Sequence, residues 1–133
     1  MLGVHPEHEL TGVDFTTGSL GHGLSFAGGS ALAARLEGSK RRIYALLSDA
    51  ECNEGSIWEA ASFAAHHQLS NLTAIIDCNG QQALGMTAEI LRMEPLVDRW
   101  QAFGWHAIAT NGHDTDAIRQ AFAEAATRDT PCV

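Results

Sequence analysis

Short apolar runs alternate with helical patterns along this chain. The runs cover residues 42–48 (RIYALLS), 72–78 (LTAIIDC) and 105–110 (WHAIAT). Near-continuous apolar runs of this length are typical of strands that are buried on both faces. Apolar residues that recur at helical spacing predict helices over residues 24–36 and from about residue 56 to residue 67.

The rest of the chain adds shorter helices. TAEIL and PLVDRWQAF predict two of them, and a last helix follows Asp114, a residue type that often caps a helix. Strands that alternate with helices predict an α/β fold, with a parallel sheet and helices on both of its faces. Four aromatic residues fall at helix positions that we expect to face the core: Trp58, Phe63, Trp100 and Phe103.

The 133 residues fit one domain, residues 1–133. The last residues, TPCV, read as the start of another strand, so we expect a domain that is cut at its end. A formal charge of −8 argues against a nucleic-acid partner, which requires clustered Lys and Arg. No apolar stretch approaches the ~18 residues of a membrane span.

The three cysteines, Cys52, Cys78 and Cys132, are odd in number and show no CxxC spacing. They indicate neither a disulfide framework nor a cysteine zinc site, and they fit a reducing cytoplasm. The N-terminus lacks the basic and apolar blocks of a signal peptide, so we expect a cytoplasmic protein.

Polar residues follow the first two apolar runs at the point where each strand should end. Asp49 follows the first run, and Asp77 to Asn79 end the second. The carboxyl ends of parallel strands share one edge of the sheet, where ligands bind. Mg²⁺ prefers oxygen ligands and shares its octahedral shell with phosphate oxygens. We therefore predict a Mg²⁺ site from the Asp49 carboxylate, the Asn79 amide oxygen and the Gln81 carbonyl, although a helix cap and an Asn-Gly turn would explain each turn separately.

The two turns together resemble a known family. SDAECNEGSIWEA and IIDCNGQQALG are similar to the thiamine diphosphate signature of transketolases, which has Gly-Asp-Gly, then Glu-Gly, then an Asn about thirty residues after the Asp. Asn79 follows Asp49 by 30 residues. GVHPEHELTGVDFTTGSLGHG is similar to a further transketolase stretch upstream. The resemblance covers about residues 3–126 and is closest to the amino-terminal subunit of split, two-chain transketolases.

The resemblance implies thiamine diphosphate and Mg²⁺ as cofactors. It places the metal on Asp49, Asn79 and Gln81, and the diphosphate on the Ala50 N–H. The residues that it implies for cofactor binding are Gly18, Ser19, Leu20, Asp49, Ala50, Asp77 and Asn79. It implies catalytic roles for His5, beside the reactive carbon, and for Glu54, which with Glu59 links paired active sites across a subunit interface.

The chain departs from the family pattern at several positions. Ser48 and Ala50 replace the glycines that flank the metal-binding Asp, Val4 replaces a Gly, and Ser19 replaces a Pro. Family members also have a segment upstream that contributes histidines, and strands downstream of Val133. We therefore expect a partial domain, truncated at both ends.

Transketolases transfer a two-carbon ketol unit between sugar phosphates. In the family, the glutamate that activates the cofactor lies in a pyrimidine-binding domain, and this chain has no room for a second α/β unit. The resemblance therefore implies a partner, the pyrimidine-binding or carboxy-terminal transketolase subunit, in a dimer or heterotetramer.

Four alternatives stay open. The chain could be a non-catalytic scaffold or remnant, or part of a two-chain synthase that uses a non-sugar acceptor. Gly21, Gly23 and Gly28, with Asp49 further on, also resemble a dinucleotide fingerprint with poor spacing. A zinc site would have to use the three histidines of the first loop: His5, His8 and His22.

Overall fold

The structure is a computed structural model that describes residues 7–133. Its strands are β1 (Ile43–Ser48), β2 (Leu72–Asp77), β3 (Gln81–Gln82) and β4 (Gly85–Met86). Its α-helices are α1 (His22–Leu36), α2 (Gly55–His66), α3 (Thr87–Ile90), α4 (Leu96–Ala102) and α5 (Thr115–Ala125). A 3₁₀ helix, Ala50–Asn53, connects β1 to α2.

The main sheet is parallel. β1 pairs with β2 in a register that runs from Ile43 opposite Leu72 to Ser48 opposite Asp77. Cys132 forms parallel bridges with both Thr73 and His106, so the end of the chain lies between β2 and the segment around His106. The expectation that TPCV begins another strand agrees with this position.

The third apolar run differs from its prediction. We expected a continuous strand over residues 105–110, but only an isolated bridge forms, at His106. The His106 N–H donates to the Pro131 carbonyl at 3.0 Å, and the Ile108 N–H donates to the Val133 carbonyl at 2.8 Å. These bonds hold the segment at the edge of the sheet without a regular ladder. The hairpin β3–β4 and the 3₁₀ helix are elements that the sequence patterns did not predict.

Helices cover both faces of the sheet, as predicted for an α/β fold. Residues of α1, α2 and α4 form one core with the inward side chains of β1 and β2, among them Leu24, Ile57, Leu72 and Trp100. On the opposite face, the Phe122 ring of α5 packs edge-on against Tyr44, with centroids 5.7 Å apart.

The prediction that β1 is buried on both faces is wrong. Ala45 and Leu47 are buried, whereas Tyr44 is 53% exposed and Leu46 is 74% exposed. Among residues 7–133, α5 reaches only the Tyr44 end of this outer face, so Leu46 has no helix over it. Phe63 was expected in the core, yet it is 40% exposed, and its ring lies beside Gly28 of α1.

The three tryptophans form one contact network that joins α2, α4 and the segment after α4. The Trp100 ring lies 5.2 Å from Trp58 and 4.9 Å from Trp105, centroid to centroid. The Trp58 indole N–H donates to the Cys52 carbonyl at 2.8 Å. This bond ties the 3₁₀ helix after β1 to the core, so the turn that contains Asp49 has a fixed position.

No helix within the described part of the chain is long and apolar enough to cross a bilayer.

Replacing Leu47 by Ala should lower the free energy of unfolding by about 2–5 kcal/mol, because it leaves a cavity in the core. Replacing its neighbour Leu46 by Ala should cost less than about 1 kcal/mol, because that side chain is already exposed. Urea unfolding of the isolated protein, followed by tryptophan fluorescence, measures both. An equal cost at the two positions would contradict the exposed outer face.

Candidate functional site

Asp49 joins the ends of the two strands. Its backbone N–H donates to the Asp77 carbonyl at 3.1 Å, which continues the ladder one residue beyond β1. Its carboxylate is buried, with 6% of the residue exposed. The carboxylate accepts from the Ala50 N–H at 2.9 Å and from the Gly80 N–H at 3.2 Å. The turn after β2 is therefore held on the side chain that follows β1.

The polar groups of the turn after β2 bond to one another. The Asn79 amide nitrogen donates to the Asp77 carboxylate at 3.1 Å, and the Asn79 amide oxygen accepts from the Gln81 N–H at 2.8 Å. These bonds fix the orientation of the amide and leave a second lone pair on its oxygen. Asp77, Asn79 and Gln81 are exposed, so this side of the site is open to a ligand.

The donor set fits a hard cation whose shell a ligand completes. Asp49 forms no ion pair with any basic residue of the described chain, and a buried carboxylate without a counter-charge is costly. Within residues 7–133, no three His, Cys, Asp or Glu side chains lie together as a metal cage. A buried carboxylate that holds the turn carrying the Asn79 amide is the kind of oxygen set that Mg²⁺ shares with phosphate.

Two cysteines lie near Asp49 and remain neutral thiols. Burial, with the charges of the Glu51 and Asp49 carboxylates, raises the pKa of Cys52 to about 12. Cys78 is exposed, but partial desolvation of its thiol, with the charges of Asp49, Asp77 and Glu94, also raises its pKa. A metal ligand or a nucleophile would need the thiolate, so neither cysteine suits those roles at neutral pH.

Glu51 connects this turn to the loop before α1, a contact that the sequence did not reveal. Its carboxylate accepts from the Gly21 N–H at 2.8 Å and from the Ser48 N–H at 3.4 Å. In return, the Ser48 hydroxyl accepts from the Glu51 N–H at 3.0 Å. Ser48, which replaces a family glycine, therefore has a structural role as the cap of the 3₁₀ helix.

Gly21 is the residue of the loop before α1 that Glu51 contacts. Its φ is +85°, a left-handed conformation that favours glycine, and a Cβ there would lie 2.8 Å from the Glu54 Cβ. The Ser56 hydroxyl donates to the Gly21 carbonyl at 3.2 Å. Both peptide groups of Gly21 are thus bound to the segment after β1, which brings Gly18, Ser19 and Leu20 towards the Asp49 turn.

The other candidate residues lie around this centre. Gly18, Ser19 and Leu20 are exposed, and so are Glu54, at the start of α2, and Glu59, one turn along it. Ala50 has no positive φ, which removes the backbone strain expected at a former glycine, but its N–H donates to Asp49 in this structure. His5 lies outside the described residues.

Two alternative interpretations lose support from the geometry. A dinucleotide fingerprint requires a strand directly before its glycines, and residues 7–21, which precede α1, contain no strand. His8 lies beside Thr16, whereas His22 packs edge-on against Phe26. These two histidines form no cluster with a third ligand in the described chain.

Comparison with known families gives one match over almost the whole chain. Residues 2–133 match the family model described as transketolase, thiamine diphosphate binding domain. The 6-deoxy-6-sulfo-D-fructose transketolase subunit SqwG of Clostridium sp. (strain MSTE9) is 47% identical over 126 residues, which are 94% of this chain and 46% of that protein. An apulose-4-phosphate transketolase subunit of Phocaeicola vulgatus is 43% identical over 92% of this chain and 43% of its own length.

Solved structures agree. The transketolase of Campylobacter jejuni superposes with a TM-score of 0.89 at 33% identity, over 96% of this chain and 21% of that one. The chain therefore spans less than half the length of these curated subunits, and about a fifth of a complete transketolase.

Replacing Glu51 by Ala should lower the free energy of unfolding by about 1–3 kcal/mol, because the Gly21 and Ser48 N–H groups lose their acceptor. Glu51→Gln keeps an oxygen for Gly21 and should recover part of this loss. Glu89→Ala, at an exposed glutamate of α3, is the control and should change the value by less than about 0.5 kcal/mol. Denaturant unfolding measures all three, and equal values for Glu51→Ala and Glu89→Ala would show that the bridge contributes nothing.

Proposed function

Because this chain belongs to the transketolase family, we propose that it binds thiamine diphosphate through Mg²⁺ held by Asp49, Asn79 and the Gln81 carbonyl. The observation that carries the proposal is the bond from the Gly80 N–H to the buried Asp49 carboxylate, at 3.2 Å. Through that bond, the turn after β2 contacts the carboxylate that follows β1.

The free lone pairs of these groups supply the protein's share of the cation's shell. Asp49 uses its carboxylate oxygens for two N–H donors, and each oxygen keeps capacity for a metal bond. A cation there would offset the charge of Asp49, and its remaining positions would go to water and to diphosphate oxygens. The Ala50 N–H would be shared between Asp49 and the diphosphate.

The loop before α1 supplies the second part of the cofactor site. Gly18, Ser19 and Leu20 would contact the thiazolium and aminopyrimidine rings through their backbone. Two hydrogen bonds of Gly21, with Glu51 and with Ser56, set the distance between these residues and the turn that contains Asp49. An error in that distance would misplace the rings relative to the diphosphate, so Glu51 is a positioning residue for the cofactor.

The reaction that we propose is the transfer of a two-carbon ketol unit between sugar phosphates. Thiamine diphosphate, when bound, supplies the carbon nucleophile for this chemistry. His5 would hold the ketose donor beside the reactive carbon, and Asp77 would help orient Asn79 through its amide.

A partner subunit would complete the site. The curated relatives are named as transketolase subunits, and this chain spans less than half of their length. We propose a companion chain with the pyrimidine-binding domain, in a dimer or heterotetramer. Glu54 and Glu59 are exposed along α2 and form no ion pair within the described chain, which leaves them free for the interface.

Calorimetric titration with thiamine diphosphate and Mg²⁺, with the companion chain present, tests the proposal. Asp49→Asn should weaken binding at least tenfold, since even residues that only orient metal ligands cost about 10–100-fold when lost. Asp98→Asn, at an exposed aspartate of α4, should leave the affinity unchanged. Removal of Mg²⁺ with EDTA should have the same effect as Asp49→Asn.

Two results would contradict this account. Unchanged affinity in Asp49→Asn would refute the metal assignment, and no binding with the companion present would favour the scaffold alternative. Turnover of a non-sugar acceptor, with none of sugar phosphates, would keep the cofactor assignment and replace the substrate.

A further inference from the structure

Five of the chain's eight basic residues line one cavity, at the opposite edge of the sheet from Asp49. The cavity has a volume of about 330 Å³. Its basic residues are Arg35, Lys40, Arg41, Arg42 and Arg128. They come from the end of α1, the approach to β1 and the segment after α5, so the fold gathers them from distant parts of the sequence.

The clustering runs against the charge of the chain as a whole. The sequence has 16 acidic and eight basic residues, yet among the described residues Asp129 is the only acidic one in the lining. Basic side chains that are close together repel one another unless an anion lies between them. A concentration of positive charge on an acidic protein therefore calls for a specific explanation.

Helix capping explains two of the five. Arg42 donates to the Ala125 carbonyl at 3.2 Å, at the end of α5, and Arg35 donates to the His67 carbonyl, at the end of α2. Carbonyls at helix ends have partial negative charge, and arginine offsets it. These bonds use a minority of the guanidinium donors and hold both side chains in place at the cavity.

The other three basic side chains of the cavity can bind an anion. Arg41 and Arg128 form exposed ion pairs with Glu37 and Glu124, at 2.6 Å and 2.5 Å. Exposed pairs of this kind are weak because solvent screens them, so a stronger anion can displace them. Lys40 has no ion pair within residues 7–133.

We propose that this cavity binds a phosphate group, either free or carried by a small metabolite. A dianionic phosphate matches several convergent cations, and arginine binds it through paired N–H donors. The hydroxyls of Ser39 and Ser70 line the same cavity and add neutral hydrogen-bonding groups. The volume lies at the lower end of the range for small-molecule sites, which suits a sugar-sized ligand and not a polymer.

The site is distinct from the cofactor edge. Arg42 directly precedes β1, and Ser70 and Asn71 precede β2, whereas Asp49 and Asn79 follow the two strands. Strands of six residues at about 3.3 Å per residue put the two edges about 20 Å apart. One small ligand cannot occupy both.

Calorimetric titration of the isolated protein, without Mg²⁺ or thiamine diphosphate, tests the proposal. Inorganic phosphate and ribose 5-phosphate are the two probes, at constant ionic strength. The double variant Lys40→Gln, Arg128→Gln should weaken binding at least tenfold. The double variant Arg99→Gln, Arg119→Gln, at exposed arginines outside the cavity, is the charge-matched control and should bind like the unmodified protein.

The two probes distinguish free phosphate from a phosphorylated metabolite. Equal affinity for the two probes identifies the free anion as the ligand, and tighter binding of ribose 5-phosphate identifies a phosphorylated metabolite. Equal affinities in the two double variants would overturn the proposal, and so would displacement of phosphate by an equal concentration of chloride. Preference for an RNA oligonucleotide over both probes would replace the phosphate site by a polyanion surface. Loss of binding in Asp49→Asn would assign the phosphate to the cofactor edge.

Discussion

The buried carboxylate of Asp49 is the constraint on which the rest of the site depends. Two parallel strands end side by side, and the backbone N–H and carbonyl groups at both ends need hydrogen-bond partners. The Asp49 N–H donates to the Asp77 carbonyl, and the Asp49 carboxylate accepts from the Gly80 N–H. The same bonds put a negative charge where the core ends and the solvent-exposed turn begins. Within residues 7–133 that charge has no ion-pair partner.

Ser48 and Ala50, which stand where the family has glycines, fit the backbone geometry around this carboxylate. Ser48 uses its hydroxyl to cap the 3₁₀ helix, and Glu51 in that helix holds Gly21. Ala50 adopts an ordinary backbone conformation, so its methyl group causes no strain of its own. Glycine therefore stands at position 21, where a side chain would collide with Glu54, whereas the backbone at Ser48 and Ala50 has no positive φ and does not require glycine.

The sequence predicted the order of the elements, because helical spacing and apolar runs reflect local burial. It also predicted that Asp49 and the Asn79 turn meet, because parallel strands end at one edge. It could not predict the Glu51 bond to Gly21, since this contact spans 30 residues and depends on packing. Nor could it show that Leu46 is exposed, because an apolar side chain indicates a preference for burial and not the neighbour that would cover it. The strand expected at residues 105–110 is only a bridge, since it pairs with the last residues of the chain alone.

A crystal structure with thiamine diphosphate and Mn²⁺ in place of Mg²⁺ would show whether the two strand-end turns share one cation. Anomalous scattering locates the metal independently of the rest of the electron density. The account predicts one metal peak within about 2–2.5 Å of the Asp49 carboxylate, the Asn79 amide oxygen and the Gln81 carbonyl, in contact with the diphosphate. A diphosphate bound without a metal at Asp49, or a metal bound away from the Asn79 turn, would contradict it.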